Sequence, residues 1–221
     1  MNVDDPQWYR RAIFYEVLVR GFNDSSGDGT GDLRGVTEKL DYLEWLGIDC
    51  LWLLPFYESP LADGGYDISD FFSVHPDYGT VGDAAELIDE AHRRGMRVIA
   101  DMVMNHTSDQ HPWFQESRQS RTNPRADWYV WNDDNDRWAE ARVIFVDTEP
   151  SNWSWDTQRE QYYWHRFFHH QPDLNFDNPE VRETMLRAVD RWLEMGVDGV
   201  RLDLGGWALA LPDPEEPVTH I

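Results

Sequence analysis

The sequence predicts an α/β protein built on parallel strands, and three observations carry that prediction. Short apolar runs alternate with longer segments of helical period, giving strand, helix, strand, helix, strand, a long insert, helix, strand. The buried runs are apolar on consecutive residues, as strands covered on both faces are. The polar loops follow the strands rather than the helices, so the chemistry collects at one end of the sheet. A (β/α)8 barrel and a doubly wound open sheet both give this order. The open sheet's usual signature, Gly-x-Gly-x-x-Gly after a strand, does not occur in the chain.

Ile13 to Val19 is the first strand, followed by a loop from Phe22 to Asp32. Val36, Leu40, Leu43 and Leu46 recur at helical spacing and stop at Gly47, predicting a helix over 36–46. Ile48 to Leu54 is a second buried strand, ended by Pro55, and a Gly/Pro/Asp-rich loop runs from Phe56 to Gly79. Ala84, Leu87, Ile88 and Ala91 define a helix from Asp83 to Arg94, with Gly95 as its stop. Arg97 to Val103 is a third strand running into Asn105-His106. The stretch that follows is irregular and rich in Trp, Asn, Asp and Pro. A loop of that length inside one domain is better read as a small subdomain over the active face. Pro179 opens a helix carrying Val181, Met185, Val189, Trp192 and Leu193, which ends at Gly196 and feeds a strand over 199–203.

The 221 residues, 41% of them hydrophobic, suffice for one sizeable core. A net charge of −23 excludes nucleic acid and an anionic membrane surface as partners. The acidic start Met1 to Pro6 has neither the basic nor the apolar region of a signal peptide, and no apolar run is long enough to span a bilayer. The single cysteine, Cys50, sits in an apolar run and reads as a small buried hydrophobe. These features together predict a cytoplasmic protein. Twelve Trp, nine Tyr and ten Phe are enough aromatics to stack on sugar rings as well as to build a core.

Three stretches carry chemistry. In Gly199-Val200-Arg201-Leu202-Asp203, Arg201 and Asp203 stand two apart and share a face of the strand. Such a pair either fixes the core or is a carboxylate nucleophile oriented by a guanidinium. The loop Asp24 to Asp32 places oxygen ligands on alternate residues around glycines, predicting a divalent-cation site of Asp24, Ser26, Asp28, the Thr30 carbonyl and Asp32. It lacks the last-position Glu of an EF-hand. Asp101 to His106 puts an acid, an amide and an imidazole at a strand end, without the second His that zinc would need. The run Trp164 to His170 is His-rich, yet no Cys or Glu spacing supports a metal there.

The order and motifs closely resemble glycoside hydrolase family 13, the α-amylase family. Asp101 to His106 resembles its first signature region, Gln171 to Asn175 the region closing its inserted subdomain, and Gly199 to Asp203 its nucleophile region. Within the family the resemblance is to the trehalose-synthase branch, the maltose α-D-glucosyltransferases. It rests on Trp52 to Tyr57, His75 to Thr80, Asn105 to Phe114, Asp147 to Asp156 and Tyr162 to Pro179. The resemblance implies the N-terminal half of a TIM (β/α)8 barrel with a subdomain inserted after the third strand. The implied divisions are 8–104 for the first three β/α units, 105–175 for the subdomain, 176–203 for the third crossover helix and fourth strand, and 204–221 for an atypical tail.

The resemblance also implies roles. Asp203 would be the nucleophile that forms a glycosyl-enzyme, and Arg201 would hold it ionised and bridge towards Asp101. Tyr66 would stack on the glucose ring, while Asp67 and His106 bind its hydroxyls. Asn105 and Asp173 would bind a structural calcium, with calcium or magnesium expected in the Asp24–Asp32 loop. The implied substrates are maltose, trehalose or related α-glucosides, and the implied reaction is isomerisation of maltose to trehalose. A hydrolytic α-glucosidase or amylase is one alternative, and a non-catalytic sugar- or metal-binding fragment another. After Asp203 the sequence leaves the family pattern, and the general-acid region is not found. The expectation is therefore a truncated form, inactive alone, whose open barrel edges favour self-association.

Overall fold

The structure, a computed structural model, describes residues 7–203. The first strand, β1, runs over Phe14–Val17 and stops short of the expected Val19, because Val19–Phe22 turns into a short helix, α1. The single helix expected over 36–46 is two, α2 at Leu33–Glu38 and α3 at Leu40–Leu46, broken at Lys39. The start of α2 is set by Asp32, whose carboxylate accepts the Gly35 N–H at 2.6 Å. Gly35 allows this helix to pass against the preceding loop. A Cβ there would lie 1.9 Å from the Asn23 carbonyl oxygen. Gly47 ends α3 in the left-handed conformation, at φ 84°.

The second strand, β2, is Cys50–Leu53. The expected loop beyond it contains an antiparallel pair, β3 at Tyr57–Glu58 and β4 at Asp70–Val74. These strands escape periodicity reading because one is two residues long and the other carries Asp and Ser. Next, α4 spans Val81–Arg93, starting before the expected Asp83 because Thr80 and Asp83 form a reciprocal capping box. Strand β5 is Arg97–Val103, as expected. In the insert, helix α5 at Pro112–Ser117 precedes β6 at Trp131–Asn132, β7 at Trp153–Asp156 and β8 at Gln161–Trp164. Helix α6 is Pro179–Glu194, and β9 is Gly199–Asp203.

One sheet has the order β1-β2-β5-β9. Strands β1 and β2 pair in parallel with Phe14 opposite Cys50, and β2 and β5 with Cys50 opposite Arg97. These are successive strands joined by helical crossovers, as a (β/α)8 barrel requires. The expectation that Val200 and Leu202 lie in a strand covered on both faces needs correction. Leu202 is 47% exposed, because among the described residues β9 has a neighbour on one side.

The described residues fall into two compact units, one of residues up to Met102 with Leu186–Arg201, the other of Val103–Met185 with residues from Leu202 on. The first has its core between sheet and helices, where Val17, Leu33, Val36, Leu43, Leu51, Leu53, Leu87 and Val98 are buried. Cys50 is buried here, and that burial pushes its thiol up to about 12. On α6, Trp192 is fully buried against Phe56 and Tyr57, and its indole N–H donates to the Phe71 carbonyl at 2.8 Å. Leu193, read as part of the same apolar face, is 42% exposed. Asp198 accepts hydrogen bonds from Arg97 and the Val98 N–H and pairs with His92, which fixes where β9 begins.

The second unit is less irregular than its sequence suggested. Strands β6, β8 and β7 form an antiparallel sheet in that order, with Trp153 opposite Trp164. Its core is aromatic: Phe114, Trp128, Tyr129, Trp153, Tyr163 and Trp164 are all buried. Residues 204–221, expected as an atypical tail, lie outside the described residues.

Candidate active site

In the first unit, three side chains from separate parts of the chain meet at Asp101. This residue sits on β5 and is fully buried. A buried carboxylate needs donors, and three supply them. The Arg201 guanidinium on β9 reaches both carboxylate oxygens, at 3.0 and 3.1 Å. The Tyr66 hydroxyl donates to Oδ2 at 3.1 Å, and the Trp52 indole N–H on β2 donates to the same oxygen at 3.2 Å. Arg201 keeps 38% of its side chain exposed, so the pair has a wet end. The expected bridge between Arg201 and Asp101 is thus formed.

Tyr66 reaches Asp101 because the loop before it is tightly organised. Asp67, fully buried, accepts the N–H groups of Ala62 and Asp63 and the Ser59 hydroxyl. This carboxylate shapes the loop that presents Tyr66, and it retains lone-pair capacity for a further donor. Trp52 was missed as a site residue by sequence reading. The available signal was a residue with a polar tip between Leu51 and Leu53 in an otherwise apolar strand.

In the second unit, the segment after β5 is tied to the end of the insert. His106 bridges Asp173, Leu174 N–H donates to the Asn105 carbonyl at 2.9 Å, and Thr107 N–H donates to that of Pro172 at 3.2 Å. His106 is buried, 3.3 Å from the Asn105 amide nitrogen through Nδ1, with its ring 5.4 Å from Phe167. Asn105 and Asp173 are therefore neighbours. Burial pushes the Asp173 carboxyl up to about 7, although the Arg166 N–H and the Asn105 side chain donate to it. Here the Asn105 side chain turns its amide N–H to Asp173, so a hard cation at this pair would need the amide rotated to present its oxygen and other oxygens to complete the shell. Asp203 is the last residue of β9 and is partly buried.

The Asp24–Asp32 loop is used differently from a simple ring of ligands. Asp24 accepts the Gly27 and Gly29 N–H groups, both at 2.7 Å, and the Ser26 hydroxyl. Asp28 accepts the Thr30 N–H at 2.8 Å, and Asp32 accepts from Ser25 while capping α2. These bonds hold Asp24 well below the usual carboxylate range. Among the described residues, no group of three or more His, Cys, Asp or Glu side chains is placed to hold a metal. In the His-rich run, His169 pairs with Glu149 at 3.0 Å and His165 lies 3.0 Å from the Ser154 hydroxyl.

The model of the α-amylase catalytic domain matches residues 16–219. The chain belongs to the α-amylase family. It is 64% identical to a trehalose synthase/amylase of Mycolicibacterium smegmatis, over 90% of this chain and 34% of that protein. It is 44% identical to an oligo-1,6-glucosidase of Heyndrickxia coagulans, over 96% of this chain and 39% of that protein. Among solved structures, the α-glucosyl transfer enzyme XgtA superposes with a TM-score of 0.83 at 49% identity, covering 89% of this chain and 37% of that one. The four-stranded sheet is accordingly part of a TIM barrel, with the aromatic subdomain inserted after its third strand. The chain spans 34% and 39% of the length of these two curated relatives.

Proposed function

We propose that this chain carries the nucleophile side of an α-glucosyl-transfer site whose reaction in the whole protein is the isomerisation of maltose to trehalose. The observation that supports it most is the convergence of Arg201, on β9, and Tyr66, from a loop, on the buried Asp101, in a chain of a family that works on α-glucosides. In this reading the glucose ring stacks on Tyr66, and Asp67 and His106 bind its hydroxyls. Asp203 attacks the anomeric carbon, so that the C1–oxygen bond of maltose breaks as a C1–carboxylate bond forms. The departing glucose oxygen takes a proton from a general acid, a role we assign to none of the described residues. The freed glucose then turns, and its anomeric hydroxyl attacks C1, returning the proton to the acid and releasing Asp203. Water attacking instead would give hydrolysis, the reading that the oligo-1,6-glucosidase relative keeps open. A calcium held by Asn105 and Asp173, and a calcium or magnesium held by the Asp24–Asp32 loop, would supply structural support in this reading.

The test uses a glucosyl donor that needs no acid. Fluoride leaves with its electron pair unprotonated, so an α-glucosyl fluoride with a second fluorine on the ring should label Asp203 of this chain. Peptide mass spectrometry should find the label on Asp203 and lose it in Asp203→Asn. Without the acid, the isolated chain should leave maltose unchanged. Labelling elsewhere, or none, would overturn the assignment of the nucleophile. Trehalose formed from maltose by this chain would overturn the view that the chain supplies no general acid.

A further inference from the structure

Trp52 makes two contacts that a ring filling space would not need. In β2 the side chains of Cys50, Leu51 and Leu53 are buried, while Trp52 is partly exposed. Its indole edge donates a hydrogen bond to Asp101 Oδ2 at 3.2 Å, and its face lies under the Arg201 guanidinium carbon, 5.3 Å from the ring centroid. An aromatic ring is electropositive at its edge and electronegative on its face. The edge therefore meets the anion and the face meets the cation of one ion pair, itself closed at 3.0 Å. Volume alone would fix neither orientation.

We propose that Trp52 is a positioning residue that locks Asp101 and Arg201 into one rigid pair, and so sets the direction in which Arg201 stands on β9. The catalytic side of this inference rests on the glucosyl-transfer reading, whereas the locking itself does not. Phenylalanine at this position keeps the ring face and removes the N–H. Leucine removes both. If the pair is locked through Trp52, a side chain that merely fills the volume will not restore it.

Two measurements on the whole chain separate these cases. In nitrogen–proton spectra of chain labelled at its tryptophans, the Trp52 indole signal is the one missing from W52F. It should move strongly in D101N and measurably in R201K, while most other indole signals stay in place. In the glucosyl-fluoride assay, W52F should be labelled about tenfold more slowly, the loss of one charge-assisted hydrogen bond, and W52L more slowly still. A Trp52 signal indifferent to D101N would overturn the proposal, as would W52F labelled at the wild-type rate. If the wild-type chain takes no label, the glucosyl-transfer reading falls, and the spectra alone decide the locking. If W52L does not fold, W52F and D101N still decide the matter.

Discussion

Lowering the pH should destabilise the protein through one buried histidine in the inserted subdomain. His111 is 4% exposed, and its ring lies 4.2 Å from that of Trp113. Its Nδ1 accepts the Trp113 N–H at 3.0 Å and caps α5. Protonation would place a charge in a dry site and remove the capping acceptor together. Burial, with a smaller contribution from Arg125, pulls its pKa from 6.5 down to about 3. The unfolded chain therefore binds a proton below 6.5 that the folded chain refuses until about 3. Stability from this group is complete above the unfolded pKa and is lost as the pH falls below it. The loss is about 1.4 kcal/mol per pH unit, or ~2 kcal/mol on going from neutrality to about pH 5. Urea denaturation of the wild type and His111→Asn at both pH values checks this. Asparagine keeps a capping acceptor and cannot titrate, and all other groups are common to both proteins. The wild type should lose ~2 kcal/mol more than the variant on acidification. Equal losses would refute the reasoning.

Gly35→Ala should destabilise by about 2 kcal/mol or more, because its Cβ would press on the Asn23 carbonyl, and a urea melt unchanged by the substitution would contradict it. Calorimetry with calcium and with magnesium should show heat of binding that Asp28→Ala abolishes if the Asp24–Asp32 loop holds a cation; negligible heats for both ions would reduce the loop to a hydrogen-bonded turn. The exposed Ile13, Phe14 and Leu18 on and beside the edge strand β1 should drive self-association at high protein concentration despite the net charge of −23. Light scattering at the monomer mass across the concentration range would count against this.

Local signals in the sequence were enough for the alternation of strands and helices, because each is a matter of neighbouring residues. Pro179 at the first turn of α6, Gly47 behind α3 and the apolar run of β5 act within a few positions, and the chain obeys them. The early start of α2 was not legible, since it depends on Asp32 turning inward to cap the helix, and the break at Lys39, where the backbone N–H turns back to the Val36 and Thr37 carbonyls, leaves the apolar period unchanged. The sheet of the subdomain was hidden for another reason. Strands of two to four residues have no period to read, and their stability comes from rings such as Trp153 and Trp164 brought together across the sheet.

The site divides in the same way. The residue types at Asp101, Arg201 and Asp203 mark a charged strand end from sequence alone, since a charge in an apolar run must be satisfied or used. What the sequence could not decide is which partners satisfy it. Tyr66 and Trp52 reach one oxygen of Asp101 from a loop and from another strand. That convergence depends on the parallel register of β2 with β5 and on the loop that Asp67 folds. A carboxylate's need for donors is written in its own chemistry. Which donors arrive is set by backbone pairing between segments far apart in the chain.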